Sequence, residues 1–314
     1  MSKKPSPIRT RVSQMLGVDY PIVQAPMGWI ARSQLAGAVS RCGAMGIIET
    51  SSGELDAVRS EILRMREITD RPFGVNIAQL FVRDPAIVDF VVEQGVRFVT
   101  TSAGDPRQYT KQLKEAGLTV FHVVPTLAAA LKAVDAGVDG LVVEGGEGGG
   151  FKNPRDVSTM VLLPLIASKV EVPIIAAGGI CDGVSMAAAF ALGAEGVQMG
   201  TRMVSAAESP IHDNWKTAIV NGAETDTVFL NRFSRPGLRA IRTERTTALE
   251  KQEHVPLTEM SRAMDLYFGG DMEAAIALTG QVMGRIESVE SVESIIHRTV
   301  DEFRTARQRL MIVD

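Results

Sequence analysis

Eight short apolar runs recur along the first 199 residues and are separated by seven longer amphipathic stretches, which predicts an alternation of strands and helices. The predicted strands are residues 22–25, 45–48, 73–76, 98–100, 120–124, 140–143, 174–176 and 196–199. The predicted helices are residues 33–42, 54–69, 85–94, 106–116, 126–136, 154–169 and 182–192. The strand runs are continuously apolar, as is typical of parallel strands that are buried on both faces.

Eight strand–helix units in a row favour closure into a (β/α)8 TIM barrel, an α/β fold with eight parallel strands at its core. The competing architecture is an open, doubly wound sheet, which usually carries GxGxxG after its first strand. Here the first strand runs into Gln24-Ala25-Pro26-Met27-Gly28 and lacks that motif. The sequence therefore predicts a TIM barrel.

The alternation stops after Thr201. Within residues 203–283, helices are predicted at 211–220, 257–267 and 272–278, around a basic segment at 232–245. A final amphipathic helix at 286–311 fits the eighth outer helix of the barrel. We therefore expect a barrel domain of residues 1–202 and 284–314. A helical lid or substrate subdomain of residues 203–283 would be inserted between strand 8 and the last helix.

Composition and charge exclude several function classes. The net charge of −4 gives no general electrostatic attraction to nucleic acid or to an anionic membrane surface. No apolar run approaches the ~20 residues of a membrane span, and the polar N-terminus has no signal-peptide core. The two cysteines, Cys42 and Cys181, have no metal-ligand spacing, which fits a reducing compartment. We expect a cytoplasmic protein with no metal site.

The last two predicted strands each end in glycine where a helix is predicted to begin, at Gly178-Gly179 and at Gly200-Thr201. Glycine lets main-chain amides approach an anion closely, and a helix N-terminus adds partial positive charge. In a TIM barrel the loops after strands 7 and 8 frequently bind phosphate. The pattern predicts a phosphate site, for a nucleotide or a phosphosugar equally, against the alternative of tight turns without a ligand.

Residues 145–150 hold five glycines, interrupted only by Glu147, directly after a predicted buried strand. Such a loop costs conformational entropy, so close approach of a ligand, or a mobile lid, explains it better than a plain connection. Glu144, at the end of that strand, is either a hydrogen-bonding partner of a ligand or a structural carboxylate. His122, the only histidine at a predicted strand position, is either a satisfied core residue or a proton donor at the barrel mouth.

Four segments together carry a resemblance to a known family: residues 24–28, 73–76, 176–180 and 192–202. They resemble the nitronate monooxygenase family, which also includes FMN-dependent enoyl-ACP reductases (type II) and flavin-linked NADH:quinone reductases. The resemblance covers residues 9–213. Residues 147–154 add a similarity to a branch of CoA-thioester reductases from bacterial steroid-ring degradation.

The resemblance implies that the cofactor is FMN and that NAD(P)H is the co-substrate. The phosphate would bind the amides after the last two strands, and the isoalloxazine would lie over the backbone that follows the first strand. Asn76 would hydrogen-bond the ring or the ribityl chain. The implied cofactor contacts are Ala25, Pro26, Met27, Gly28, Asn76, Gly149, Gly150, Gly178, Gly179, Gly200 and Thr201.

One residue departs from the family pattern. The family's monooxygenases and enoyl reductases carry a histidine in the loop after strand 6, where this chain has Phe151. Nitronate oxidation needs a group near the flavin that manages substrate charge or protons, and phenylalanine can do neither. The departure favours hydride transfer through flavin. The candidate catalytic residues are His122, Phe151 and Glu144.

Substrate contacts are expected at Trp29, Arg235 and Arg239. Trp29 is either a wall of the substrate pocket or a packing residue. The two arginines belong to a series with Arg232 and Arg242. That series is either a solvated surface or a clamp for the phosphates of CoA, acyl carrier protein or NAD(P)H.

The favoured function is NAD(P)H-dependent reduction of an unsaturated or electron-poor small molecule or acyl thioester of CoA or ACP. One alternative is a nitronate monooxygenase (2-nitropropane dioxygenase) that uses O2. A second alternative, from another class, is a phosphosugar isomerase or lyase that holds its substrate by the phosphate. The expected partner is the substrate rather than nucleic acid or a membrane, and a homodimer is compatible with the sequence.

Overall fold

The computed structural model describes residues 4–52 and 55–310. Its strands are β1 Ile22–Gln24, β2 Gly46–Glu49, β3 Phe73–Ala78, β4 Phe98–Ser102, β5 Thr119–Val124, β6 Gly140–Glu144, β7 Gly150–Lys152, β8 Ile174–Ala177, β9 Gly196–Met199, β10 Thr227–Leu230 and β11 Gly237–Ile241. Its α-helices are α1 Arg11–Leu16, α2 Ser33–Arg41, α3 Leu55–Ile68, α4 Ile87–Glu93, α5 Thr110–Glu115, α6 Leu127–Asp135, α7 Thr159–Ala167, α8 Gly183–Ala191, α9 Thr201–Val204, α10 Asp213–Asn221, α11 Glu244–Leu249, α12 Ala263–Tyr267 and α13 Val292–Leu310. Short 3₁₀ turns lie at Gln79–Phe81, Pro106–Gln108, Leu257–Met260 and Gln281–Arg285.

Eight of the strands form one parallel sheet in the order β1-β9-β8-β6-β5-β4-β3-β2. The two ends of this order meet, because Val23 bridges Met45 in parallel register and Gln24 N donates to Met45 O at 2.9 Å. The sheet therefore closes into a barrel. The eight predicted strands and the TIM-barrel fold are confirmed.

Alternate strand residues point into the barrel and out to the helices. The inward residues form a separate apolar cluster: Val23, Met45, Ile47, Phe98, Phe121, Val142, Ile175 and Ala177. Val12 and Leu16 of α1 join this cluster at the N-terminal ends of the strands, where Val12 packs beside Gly196. The outward residues pack with the helices in the larger core. Side chains thus fill the barrel interior, and α1 covers the amino-terminal ends of the strands, which leaves the carboxyl ends as the place for a ligand in the barrel.

The helices predicted between the strands are present, with shifted ends. The largest shift is in the helix predicted at 154–169, which begins at Thr159 with Ser158 as its N-cap. The reason is that residues Gly150–Lys152 pair with β11 instead of leading directly into the helix. Residue 54, in the helix predicted at 54–69, lies outside the described residues. α13 packs against α8 and α2, in the position expected for the last outer helix.

The segment between β9 and α13 is not purely helical, which differs from the sequence prediction. β10 and β11 pair in antiparallel fashion, and β11 also pairs with β7, giving a three-stranded sheet. The predicted basic segment 232–245 covers the turn between β10 and β11, β11 itself and the start of α11, and residues 272–278 contain no helix. This sheet has its own apolar cluster: Val228, Leu230, Leu238, Ala240, Leu249, Val255 and Ile276.

Across the described ranges, no helix combines the length and the apolar character that a membrane crossing requires.

Candidate active site

The carboxyl ends of the barrel strands carry several polar side chains on the inner face. These residues are Asn76, Glu144 and Gln198. Along its strand, each lies either two residues from a residue that points into the barrel or next to one that points outward. Strand alternation therefore turns its side chain toward the barrel axis. Asn76 Nδ2 donates to Thr100 Oγ1 at 2.9 Å, which fixes the amide. No donor among the described residues reaches Asn76 Oδ1 or the buried Gln198 Oε1. Two amide oxygens at the barrel mouth thus lack a donor from the described residues.

The main chain after β8 and β9 presents unused hydrogen-bond donors. Within the described residues, the amide N–H groups of Gly178, Gly179, Gly200 and Thr201 donate to no protein acceptor. Gly178 and Gly179 have φ of +84° and +79°, and a Cβ on Gly178 would lie 2.8 Å from Gly145 O. Only glycine allows this approach. The structure brings the predicted phosphate-binding residues together, with their donors free for an anion.

Amides rather than helix dipoles supply the positive potential at this place. α8 begins at Gly183, beyond the glycine pair, and α9 is a single turn. The macrodipole of one turn is small, so the helix contribution that the sequence suggested is minor. The Thr201 hydroxyl is already used, because its Oγ1 accepts from Gly280 N at 2.9 Å.

The loop after β1 is the second part of the site. Residues 25–29 are each partly exposed, although the residues on both sides of them are buried. Glu49 holds the far end of the loop, since its Oε1 accepts from Trp29 N at 3.1 Å and from Arg32 Nε at 2.9 Å. Ala25, Pro26, Met27 and Gly28 therefore form a partly exposed loop at the mouth, and the far end of this loop is fixed.

Trp29 contacts the segment between β9 and α13. Its ring meets Tyr267 of α12 edge-on, with the centroids 6.2 Å apart. Tyr267 in turn packs 4.9 Å from Trp215. Burial raises the pKa of the Tyr267 phenol, so this hydroxyl stays neutral. Trp29 therefore has a packing partner, and its partial exposure still leaves it beside the mouth.

Protein packing accounts for much of the glycine-rich loop. A Cβ on Gly149 would lie 2.7 Å from Gly280 N, and one on Gly148 would lie 2.6 Å from Lys152 Nζ. Glu147 is a structural residue, because its carboxylate accepts from Thr159 N at 2.9 Å at the start of α7. Gly150 is not required by close packing as Gly148 and Gly149 are, because nothing lies within 4 Å of its Cβ position. Its φ of +92° is what favours glycine there.

Phe151 lies on β7 opposite Leu238. Its ring contacts Phe81, with the centroids 5.2 Å apart, and packs against the apolar cluster of the small sheet. The Phe151 side chain is therefore engaged in apolar contacts.

Glu144 and Lys152 form an ion pair over the barrel mouth, with 2.5 Å between Lys152 Nζ and Glu144 Oε1. The sequence identified Glu144 but not Lys152. Lys152 reaches the mouth only because β7 pairs with β11, and Gly237 lies opposite it there. A glycine-rich loop gave no local signal for that strand.

Arg239 is not available for a phosphate, which contradicts its prediction as a substrate clamp. Its guanidinium is buried, donating to Gly146 O at 2.7 Å and lying 3.3 Å from Asp156 Oδ2. Burial lowers the pKa of this guanidinium, and Asp156 opposes the shift. Arg239 therefore anchors the glycine-rich loop to the small sheet. Arg235 is exposed in the turn between β10 and β11, so of the two arginines only Arg235 remains a predicted substrate contact.

His122 faces away from the barrel mouth, so its prediction as a proton donor there is wrong. Its neighbour Phe121 belongs to the inner cluster, which turns His122 outward into the helix layer. Its Nδ1 lies 2.6 Å from Thr101 Oγ1. Burial lowers the pKa of the imidazole to about 4. His122 is therefore a neutral, hydrogen-bonded core residue.

Comparison with known proteins gives the family. The nitronate monooxygenase model matches residues 9–302. A (3aS,4S,5R,7aS)-5-hydroxy-7a-methyl-1-oxo-octahydro-1H-indene-4-carboxyl-CoA dehydrogenase of Mycobacterium tuberculosis is 35% identical, over 77% of this chain and 69% of its own length. A probable nitronate monooxygenase of Staphylococcus saprophyticus is 30% identical, over 76% of this chain and 79% of its own.

Solved structures agree. FabK from Thermotoga maritima matches with a TM-score of 0.91 and 36% identity, covering 97% of this chain and 99% of that one. Nitroalkane oxidase from Streptomyces ansochromogenes shares the fold, with a TM-score of 0.83 at 23% identity over 96% of this chain and 100% of that one. The resemblance read from the sequence is thus confirmed. The chain belongs to the nitronate monooxygenase family.

Proposed function

We propose that this oxidoreductase binds FMN and uses NAD(P)H to reduce an electron-poor double bond, with an acyl thioester as the substrate class. The observation that carries the proposal is the set of free main-chain amides at Gly178, Gly179, Gly200 and Thr201. Consecutive amides without protein acceptors suit the phosphate of a mononucleotide.

The remaining polar groups fit the other parts of FMN. The accessible backbone of residues 25–28 suits a flat ring system, and Asn76 Oδ1 suits a donor of the ring or the ribityl chain. Gln198 Oε1 is a further buried acceptor without a donor. When bound, the flavin supplies hydride transfer, and the protein orients the reactants and excludes water.

Phe151 supports reduction over nitronate oxidation. It lies in apolar contacts with Phe81 and the small sheet, so it offers no group that takes or gives a proton. The 35% identical mycobacterial relative is named as a dehydrogenase of a CoA thioester, which supports the thioester class. Membership of a family of oxidoreductases removes the basis of the phosphosugar alternative.

We also propose that residues 203–283 form the lid of the site on the barrel of residues 1–202 and 284–314. Two contacts support this division. Trp29 meets Tyr267 of the inserted segment, and β7 of the barrel loop joins its sheet. A lid in this place would shield the reacting atoms from water.

The purified protein tests the proposal. It should be yellow and release FMN on heating, and NADH or NADPH should bleach it anaerobically. Three reactants are then compared: the thioester crotonyl-CoA, the quinone menadione and the nitronate propionate 3-nitronate. A colourless protein that takes up no FMN would refute the flavin proposal. Bleaching by the nitronate alone would instead establish the monooxygenase.

A further inference from the structure

Lys152 is a buried cation at the barrel mouth. Its side chain is 3% exposed, whereas that of its partner Glu144 is 25% exposed. Glu144 lies two residues after Val142 of the inner cluster, so its carboxylate faces the barrel axis. The backbone of the glycine-rich loop covers the ammonium, because a Cβ on Gly148 would lie 2.6 Å from Lys152 Nζ. The pair therefore has an enclosed end at Lys152 and an open end at Glu144.

The ammonium is not fully hydrogen-bonded. It carries three N–H donors. Its contact with Glu144 is close at 2.5 Å but is not aligned as a hydrogen bond, and no other acceptor among the described residues is bonded to it. Burying an ion pair costs desolvation energy, and here some N–H donors of the ammonium have no acceptor. Such a pair contributes little to the stability of the fold.

A loop anchor is already present on the same face of the small sheet. Arg239 lies opposite Gly150 in the β11–β7 pairing, and it donates to Gly146 O at 2.7 Å. It also pairs with Asp156. The glycine-rich loop is thus held without Lys152, so the Lys152–Glu144 pair calls for another role.

We propose that Lys152 and Glu144 form a proton relay that serves the reacting carbon, in place of the histidine that Phe151 replaces. This inference rests on the proposed reductase function. When bound, the flavin would supply a hydride to one carbon of an α,β-unsaturated thioester and would itself be oxidised, and the neighbouring carbon would need a proton. That proton would leave Lys152 Nζ for Glu144 Oε1, 2.5 Å away, once a small side-chain rotation aligns the two groups, and the carboxyl group would then donate it to the carbon. Glu144 would end the step as a carboxylate and Lys152 as a neutral amine.

The cycle closes when a proton from the bulk solvent returns to the neutral Lys152 amine after product release. Glu144 is the group that would contact substrate, because it is the more exposed member of the pair. Lys152 acts through Glu144. This assignment distinguishes the relay from a purely structural ion pair.

The decisive variant is Lys152→Arg. It keeps a positive charge against Glu144 and the loop, but a guanidinium is not deprotonated in proteins. Lys152→Met removes both the charge and the proton, and Glu144→Gln removes the open end of the relay. Lys251→Met, at an exposed lysine, is the matched control.

The experiment follows reoxidation of pre-reduced enzyme in an anaerobic stopped-flow instrument. Crotonyl-CoA requires a proton on carbon, whereas ferricyanide accepts electrons alone. In Lys152→Arg, Lys152→Met and Glu144→Gln, reoxidation by crotonyl-CoA should slow by about 10²–10⁴-fold, the usual worth of general acid catalysis. Reoxidation by ferricyanide should stay at the wild-type rate. A solvent deuterium isotope effect on the crotonyl-CoA step should be present in the wild type and in Lys251→Met.

Two binding measurements accompany the rates. The Kd for FMN and the Kd for butyryl-CoA, a saturated thioester that cannot accept hydride, should stay near the wild-type values in Lys152→Arg. A wild-type rate with crotonyl-CoA in Lys152→Arg would overturn the relay and leave a structural pair. Loss of FMN binding in this variant, or equal slowing with both acceptors, would overturn it as well.

Failure of the proposed function looks different. A wild-type protein that binds no FMN, or that NAD(P)H cannot reduce, refutes the reductase itself. A wild-type protein that NAD(P)H reduces but crotonyl-CoA does not reoxidise refutes the thioester class, and the relay with it.

Discussion

Gly200→Asp tests the phosphate site with one added charge. Gly200 has a φ of −100°, which lies outside the left-handed region. Its φ therefore does not demand glycine at this position. A Cβ at this position would lie 3.7 Å from the Ala25 side chain, which is an ordinary contact. An aspartate can therefore be accommodated without disturbing the barrel. Its carboxylate would be carried by the turn after β9, whose amides at Gly200 and Thr201 have no protein acceptor and form part of the proposed phosphate site.

The expected effect on FMN affinity follows from Coulomb's law. Two unit charges about 5 Å apart repel by about 3 kcal/mol at an effective dielectric constant of about 20. A phosphate monoester carries between one and two charges at neutral pH, so the repulsion is about 3–6 kcal/mol. Since 1.4 kcal/mol corresponds to a factor of ten, the Kd for FMN should rise by about 10²–10⁴-fold.

The measurement is a fluorescence titration of FMN with the apoprotein. Gly200→Asn is the matched control, because asparagine has nearly the same size as aspartate and no charge. We expect Gly200→Asn to bind FMN within a few-fold of the wild type, and both variants to melt at similar temperatures. If Gly200→Asp and Gly200→Asn bound FMN equally well, the phosphate would not lie at these amides.

Three further predictions concern the fold. Arg239→Met should lower the free energy of unfolding by about 2–4 kcal/mol in urea, because Gly146 O loses its buried donor, whereas the exposed Arg235→Met should change it by less than about 0.5 kcal/mol. In the wild type, the melting temperature should fall as the pH drops from 6.5 towards about 4, since the neutral buried His122 gains a proton only on unfolding, and His122→Gln should flatten that dependence. Gly46→Ala should lower the free energy of unfolding by more than about 3 kcal/mol in urea, because its Cβ would lie 2.1 Å from a backbone carbonyl oxygen. Equal unfolding free energies for Arg239→Met and Arg235→Met, an unchanged pH dependence in His122→Gln, or a stable Gly46→Ala would contradict the corresponding contact.

The barrel could be predicted because strands buried on both faces leave continuous apolar runs, and eight such runs are present. Because these apolar runs are continuous, the sequence does not show which strand residues point into the barrel. In β5, Phe121 faces the interior and His122 faces the helices, although apolar residues lie on both sides of this pair in the sequence. Only closure of the barrel sets that direction, so the role predicted for His122 was wrong while the strand was right.

The proposed phosphate loops could be predicted because their signal is local, with glycine directly after each of two strands. The small sheet has no local signal of this kind. β7 is three residues long and lies in a glycine-rich loop, and its partner β11 follows about 85 positions later. The buried Arg239 also breaks the apolar pattern of β11, and it is tolerated only because its donors reach the glycine-rich loop.

The β7–β11 pairing has consequences for how the site is interpreted. It places Phe151 against Leu238 and Phe81 on one face of the small sheet, and it turns Lys152 to the opposite face, over Glu144. Phe151 is therefore not the only residue of this strand that bears on proton chemistry at the site. The same strand carries a charged group one residue later, and that group reaches the barrel mouth only when the inserted segment is in place. Acid–base chemistry and lid closure would then depend on one short strand pairing, so displacement of the segment should remove the proton source together with the cover of the site.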